Sequence, residues 1–162
     1  MAVNQYQGAK SYIDLMETLR DACLNSRSIS SVTVGDLSEV DLDKQSIFPL
    51  AHIIINTANF SSTIITYDVS ILFMDVVHSD TTENEAVIYD NDNLNFVLNT
   101  MINAGNHITD EFNSGNLNDG NTRIMRETVS AEPFKDRFEN LVAGWAFNFQ
   151  VETRNNINRC LT

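Results

Sequence analysis

Basic residues are scarce in this chain of 162 residues: 10 Lys and Arg stand against 22 Asp and Glu, for a formal net charge of −12. This balance opposes any binding mode that depends on neutralising phosphates, so tight wrapping of nucleic acid is not expected. Long hydrophobic runs are also lacking, since no segment approaches the roughly 20 apolar residues of a membrane span. The first residues lack the basic region and apolar core of a signal peptide. We therefore expect a soluble, unsecreted protein with no membrane partner.

Cysteine is limited to Cys23 and Cys160, which lie far apart and without the spacing of metal ligands. A reducing cytoplasm favours two free thiols over a disulfide. The sequence also has no glycine-rich phosphate loop, no nucleophile elbow and no paired cysteine motif. We therefore predict no cofactor, no metal and no catalytic residues, and we expect that the protein is not an enzyme.

Composition and length indicate one folded domain over residues 1–162. Hydrophobic residues make up 43% of the chain and charged residues 20%, which is globular rather than disordered composition. Apolar residues at spacings of three and four predict amphipathic helices over residues 8–24 and from about residue 94 to residues 104–105. Runs of β-branched residues and strict alternation of inward- and outward-facing residues predict five strands. We expect them at residues 32–36, 51–56, 63–78, 123–129 and 141–152.

This order of elements predicts an α+β fold, with a mainly antiparallel sheet and two helices packed on one face. Residues 103–121 hold three glycines among Asn, Asp and Ser, so we interpret them as a long mobile loop. Residues 1–7 and 153–162 are polar enough to be flexible arms.

One group of residues resembles part of an active site. Asp75, His78 and Asp80 bring carboxylates and an imidazole to the end of a strand, as a metal site or an acid–base pair would. The simpler interpretation is a strand that leaves the core for a polar loop, and we favour it. Residues 90–93 resemble the start of a calcium loop, but the glycine and the late glutamate of that motif are missing, so helix capping is the better explanation.

Aromatic residues have two interpretations. Trp145, Phe147 and Phe149 alternate in a strand, and we interpret them as sheet core rather than as a ligand platform, because they bury large apolar areas. Phe60 and Phe134 lie near strand ends and are interface candidates, since interfaces favour such residues. The alternative for both is a contact between a loop and the core.

Three segments together carry a resemblance to a known family. They are the N-terminal helix, residues 64–75 with the sequence IITYDVSILFMD, and residues 140–149 with the sequence NLVAGWAFNF, followed by Arg159 and Cys160. In these segments the chain resembles the tail-completion and neck proteins of tailed bacteriophages, small α+β subunits that form rings between the portal and the tail. The asparagine-rich composition is similar to that of structural proteins of crAss-like phages.

The resemblance implies a structural virion protein that forms a homo-oligomeric ring, a hexamer or a dodecamer, in the phage neck. Its partners would be further copies of itself and other neck, portal or tail proteins, and the genome DNA would pass through without specific binding. An acidic lumen would repel DNA, and Asp110, Glu111 and Asp119 in the predicted loop are the lumen candidates. Solubility alone is an equally good explanation of the charge. The segments 1–7 and 153–162 are candidate donors to the contact between subunits.

Three alternatives remain open from the sequence. The first is an adaptor ring that lies directly on the portal and differs in symmetry and neighbours. The second is a small acidic enzyme with an aromatic-lined pocket, in which Asp75, His78 and Asp80 would be the first residues to mutate. The third is an adaptor that binds a host protein as a monomer.

Overall fold

A computed structural model describes residues 10–40, 45–78, 93–117, 122–124, 128–137 and 141–155. Within these ranges the chain forms two α-helices and six β-strands, which confirms the α+β class. In chain order these elements are α1 (Lys10–Asn25), β1 (Ser31–Val34), β2 (Leu50–Phe60), β3 (Ile64–Val76), α2 (Leu94–Asn113), β4 (Thr122–Ile124), β5 (Ser130–Arg137) and β6 (Leu141–Arg154). Neither helix is long and apolar enough to span a membrane.

One sheet organises the molecule, in the order β1, β2, β3, β6, with β4 and β5 both pairing with β6. The short β1 runs parallel to the start of β2, and every other pairing is antiparallel, as predicted. The centre consists of the three longest strands, in which Ile71 lies opposite Ile53 on one side and Phe147 on the other. β-branched and aromatic residues suit this position because they pack well on a pleated, buried surface.

Both helices cover the same face of the sheet, which confirms the predicted packing. The odd-numbered residues of β3 from Ile65 to Phe73 form this face, and they are all buried. α1 packs onto them with Leu15, Leu19 and Cys23, and α2 with its own apolar stripe. The buried residues of that stripe are Val97, Met101, Ala104, Gly105, Ile108 and Phe112. The core is thus a helix layer on a sheet layer.

The opposite face of the sheet is divided in two. At one end the connection between β1 and β2 covers a second apolar cluster, formed by Phe48, Leu50, Met74, Val76 and Val142. At the other end, polar side chains bond to one another across β2, β3 and β6. Asn56 Nδ2 donates to Ser70 Oγ at 2.7 Å, and Ser70 Oγ donates to Asn148 Oδ1 at 2.6 Å.

The prediction of a loop over residues 103–121 is wrong for its first part. α2 continues to Asn113, and turns follow to residue 117; residues 118–121 lie outside the described ranges. The helix extends because Ile108 and Phe112 continue its apolar stripe at a spacing of four and bury it against the sheet. Tertiary burial therefore outweighs the weak helix propensity of Gly and Asn in this segment.

The connection between the strands predicted at 51–56 and 63–78 is also shorter than expected. β2 runs on to Phe60, with a register shift between Ile55 and Thr57. This bulge lets the polar Asn56 and Thr57 both bond to β3, while Ile55 and Ala58 pack on the helix side. The extra residue of the bulge keeps Ile55 and Ala58 on the helix side of the strand, although two polar residues separate them in the sequence.

Two further expectations near the end of the chain need correction. Thr153 and Arg154 belong to β6, and Asn155 N donates to the carbonyl of Thr63 at 2.9 Å, so residues 153–155 are not part of an arm. The rest of that arm and all of residues 1–7 lie outside the described residues. Of the strand predicted over 123–129, β4 covers residues 123 and 124, residues 128–129 are not in a strand, and residues 125–127 lie outside the described residues. β5 was not predicted. Pro133 is tolerated because β5 lies at an edge of the sheet.

Candidate functional site

The hairpin between β2 and β3 ends in the most exposed apolar residue of the described chain. We define the hairpin tip as residues 60–64 together with Arg154 and Asn155 of the neighbouring β6. Phe60 is 68% exposed and Ile64 38% exposed. Single exposed apolar residues are common on proteins, but two at the end of one long hairpin form a patch that a partner could cover.

Hydrogen bonds hold the backbone of the hairpin tip in one conformation. Ser61 N donates to Ile64 O at 2.8 Å, and Ile64 N donates back to Ser61 Oγ at 3.0 Å. From β6, Asn155 Nδ2 donates to Ser61 O at 2.8 Å, in addition to its backbone bond to Thr63. A loop that is held in this way loses little conformational entropy when it binds a partner.

The side chains of the hairpin tip combine apolar surface with a positive charge. Arg154 lies directly opposite Ile64 in the register of β3 and β6, and both are exposed. Of the charged groups in the described part of the chain, Arg20 and Asp21 form the one ion pair, so the guanidinium of Arg154 has no carboxylate within 4.0 Å there. The hairpin tip therefore presents a cation beside apolar residues in a strongly acidic protein.

Phe134, the second predicted interface residue, has a different environment. It lies in β5 opposite Gly144, is half-buried, and packs against the second apolar cluster beneath the β1–β2 connection. This contact matches the alternative that was left open for Phe134, a contact with the core. Its role as an interface residue stays a prediction.

The lumen candidates are on a helix rather than on a loop. Asp110 is exposed and Glu111 is half-buried, both in the last turn of α2, while Asp119 lies outside the described residues. Carboxylates near a helix C-terminus oppose the helix dipole, and this helix has no basic residue in its last turn. Stabilisation of the helix therefore does not explain why acidic residues occupy these two positions.

Of the three residues that resembled part of an active site, the structure describes Asp75 and His78. Asp75 is half-buried at the end of β3, where burial raises the pKa of its carboxyl group although Val76 N and His78 oppose the shift. His78 is exposed, and its backbone N–H donates to Asn93 Oδ1; Asp80 lies outside the described residues. Over the described ranges, no group of three or more His, Cys, Asp or Glu residues could hold a metal ion.

Asn93 precedes α2, in the segment that resembled a calcium loop. It is the N-cap of α2 but makes no side-chain capping bond, because its Oδ1 accepts from His78 N instead. Residues 90–92, which the sequence offered as caps of this helix, lie outside the described residues.

His52, which stood in an apolar run of the sequence, is fully buried and has a structural role. Its Nε2 donates to Gly35 O at 3.1 Å, because a carbonyl oxygen can only accept. Burial lowers the pKa of His52 and so favours the neutral ring, in which Nδ1 is unprotonated and accepts from Thr33 Oγ1 at 2.7 Å. The neutral imidazole thus ties β1 and the turn after it to β2. His107 is exposed on α2.

The alternating aromatic residues of β6 belong to the core, as predicted. Phe147 is buried and contacts Phe73 edge to face, with ring centroids 5.5 Å apart, and Phe149 contacts Phe112 at 6.0 Å. Trp145 Nε1 donates to Leu98 O at 2.9 Å and so ties α2 to β6. These rings are therefore unavailable as a flat ligand platform.

Comparison with known proteins adds no assignment, because no protein-family model and no curated protein matches this chain. The hairpin tip is then the most distinctive surface of the described residues. The sequence identified Phe60 but missed Ile64, Arg154 and Asn155. The signal for Arg154 was a lone cation at the end of the best-defined strand, but its position beside the hairpin depends on the pairing of β3 with β6.

Proposed function

We propose that this protein is a structural virion subunit that forms a homo-oligomeric ring in the neck of a tailed bacteriophage. In this role the ring completes or joins the tail and lets the genome pass through its centre. The resemblance of the helix, the β3 segment and the β6 segment to neck proteins motivates the proposal. The net charge of −12 supports passage of DNA without adhesion, because the subunit and the phosphates carry charge of the same sign.

The proposal rests mainly on Phe60, whose side chain is exposed beside a turn that is held by hydrogen bonds. A ring with cyclic symmetry needs two different surfaces on each subunit, one of which contacts the other surface of the next subunit. An exposed aromatic side chain beside a turn whose backbone is hydrogen-bonded at Ser61, Thr63 and Ile64 is suited to be one of these surfaces, since aromatic anchors dominate interface energies.

The mass of the purified protein, measured by light scattering over a range of concentrations, tests the proposal. We expect a species of six or twelve subunits of 18.2 kDa, visible as rings in negative-stain images. The variant Phe60→Ser should shift the protein towards smaller species. Phe96→Ser is the matched control, because Phe96 is 59% exposed but lies at the start of α2, away from the hairpin.

Two results would count against the proposal. Wild-type protein that stays monomeric at every concentration contradicts the ring. Equal effects of Phe60→Ser and Phe96→Ser would mean that general surface hydrophobicity, and not the hairpin tip, drives the association.

A further inference from the structure

The direction of α1 places its two ends at opposite ends of the molecule. Near its start, Tyr12 contacts Tyr67 with ring centroids 6.2 Å apart, and Tyr67 lies opposite Ala58, two residues before the end of β2. After its last turn, the chain enters β1, which pairs with the start of β2 at Leu50. α1 therefore runs from the hairpin end of the sheet towards the other end.

Leu24 is consequently far from the hairpin tip of its own subunit. It lies twelve residues after Tyr12, a rise of roughly 18 Å along the helix. The side chains of a single copy cannot bridge this distance. Any contact between the hairpin tip and Leu24 has to join two copies of the chain.

The outward side of α1 is chemically complementary to the hairpin tip. Glu17, Asp21 and Leu24 follow one another at spacings of four and three, so they share one side of the helix. All three are exposed, and Leu24 is 47% exposed. This stripe presents two carboxylates and then an apolar residue, whereas the hairpin tip presents a guanidinium beside Phe60 and Ile64.

We propose that the hairpin tip of one copy docks on the α1 stripe formed by Glu17, Asp21 and Leu24 of the next copy. The inference rests on the proposed ring and names its two contact surfaces. Arg154 faces the carboxylates, and Phe60 and Ile64 cover Leu24. The contact is heterologous, since two different surfaces meet, and such contacts repeat from subunit to subunit until a ring closes.

Charge complementarity favours a second copy as the partner. Two copies with a charge of −12 repel each other in general, so they associate best where one of the few cations meets an acidic surface. On α1, Arg20 already bonds to Asp21 at 3.1 Å, which leaves Glu17 as the more available carboxylate. The attraction between Arg154 and Glu17 then also sets the register of the contact.

Charge reversal on both surfaces tests the pairing. Arg154→Glu and Glu17→Lys should each weaken self-association about tenfold or more in sedimentation at low salt, because each places like charges opposite one another. The double variant restores the attraction with reversed signs and should recover most of the wild-type affinity. Lys135→Glu and Glu132→Lys on β5 are matched controls, since both residues are exposed and lie outside the two surfaces.

The outcomes separate this inference from the proposed function. A wild-type ring that tolerates both single reversals, or a double variant whose losses simply add, overturns the contact but leaves the ring intact. A wild-type protein that does not self-associate overturns both. Circular dichroism melting curves that match the wild type show that a lost assembly is not lost folding, as expected for exposed residues.

Discussion

Replacing Gly105 by alanine adds one methyl group where α2 lies against the ring of Phe147 in β6. A Cβ at this position would overlap the ring of Phe147, whose Cδ2 would lie 2.7 Å away. An ordinary contact between carbon atoms is about 3.5–4.0 Å. The ring has no space to withdraw, because Phe147 is 6% exposed and already packs edge to face on Phe73.

Two opposing terms determine the change in stability. Alanine in place of glycine favours the helix by about 1 kcal/mol. Forcing a methyl group into a packed core costs about 1–3 kcal/mol. Because the ring is buried and packed against Phe73, we expect a steric cost at the upper end of this range, about 2–3 kcal/mol. The free energy of unfolding should then fall by about 1–2 kcal/mol. For a domain of this size, that corresponds to a melting temperature lower by roughly 2–8 °C.

Urea denaturation of four variants measures this effect. Gly105→Ala, Phe147→Leu and their double variant form a cycle, in which the smaller leucine should relieve the overlap and give a coupling energy of about 1 kcal/mol. Asn103→Ala is the control, because this exposed residue of α2 gains helix propensity without a steric contact and should stabilise slightly. A Gly105→Ala variant that is as stable as the wild type, or a cycle without coupling, would refute the packing argument.

Two further predictions follow from buried titratable groups. Burial lowers the pKa of His52 below its usual 6.5, against the opposing effects of the bond to Gly35 and of the charge on Asp36, so the neutral form stabilises the fold. The unfolded chain binds this proton first, and the free energy of unfolding should therefore decrease as the pH falls below about 6.5, a slope that His52→Gln should reduce in denaturation curves. Burial raises the pKa of the Cys23 thiol to about 12, so under native conditions at pH 8 a thiol reagent should leave Cys23 unmodified and label it only after unfolding. Rapid native labelling of Cys23 would contradict this expectation.

The sequence alone was sufficient for the elements with a clear hydrophobic period. The spacing of Leu15, Leu19 and Cys23 identified α1, which is observed at Lys10–Asn25, and the alternation of Trp145, Phe147 and Phe149 identified β6. In both cases every residue of the pattern contributes to the same buried side, so local order and tertiary packing agree.

The sequence failed where a distant contact changes the local preference. The stretch after residue 103 reads as a loop, because Gly105 and several Asn residues are weak helix formers. In the folded chain Gly105 is the one residue small enough to let the ring of Phe147 lie against the helix, and Ile108 and Phe112 bury the following turns. The partners of Gly105 and Phe112 are Phe147 and Phe149 of β6, about 40 residues away along the chain. A prediction from neighbouring residues alone cannot include such contacts.

The same limit applies to the candidate site. The sequence was sufficient to predict the fold class, the excess of acidic residues and Phe60 as an interface candidate, because composition and periodicity are properties of the chain itself. Only the tertiary structure brought Arg154 and Asn155 of β6 beside the turn after β2, through the pairing of β3 with β6. Only the tertiary structure placed the second half of α1 at the far end of the molecule from the hairpin. Strand register and helix direction depend on contacts between residues far apart in sequence, so they emerge when the chain packs rather than from its local pattern.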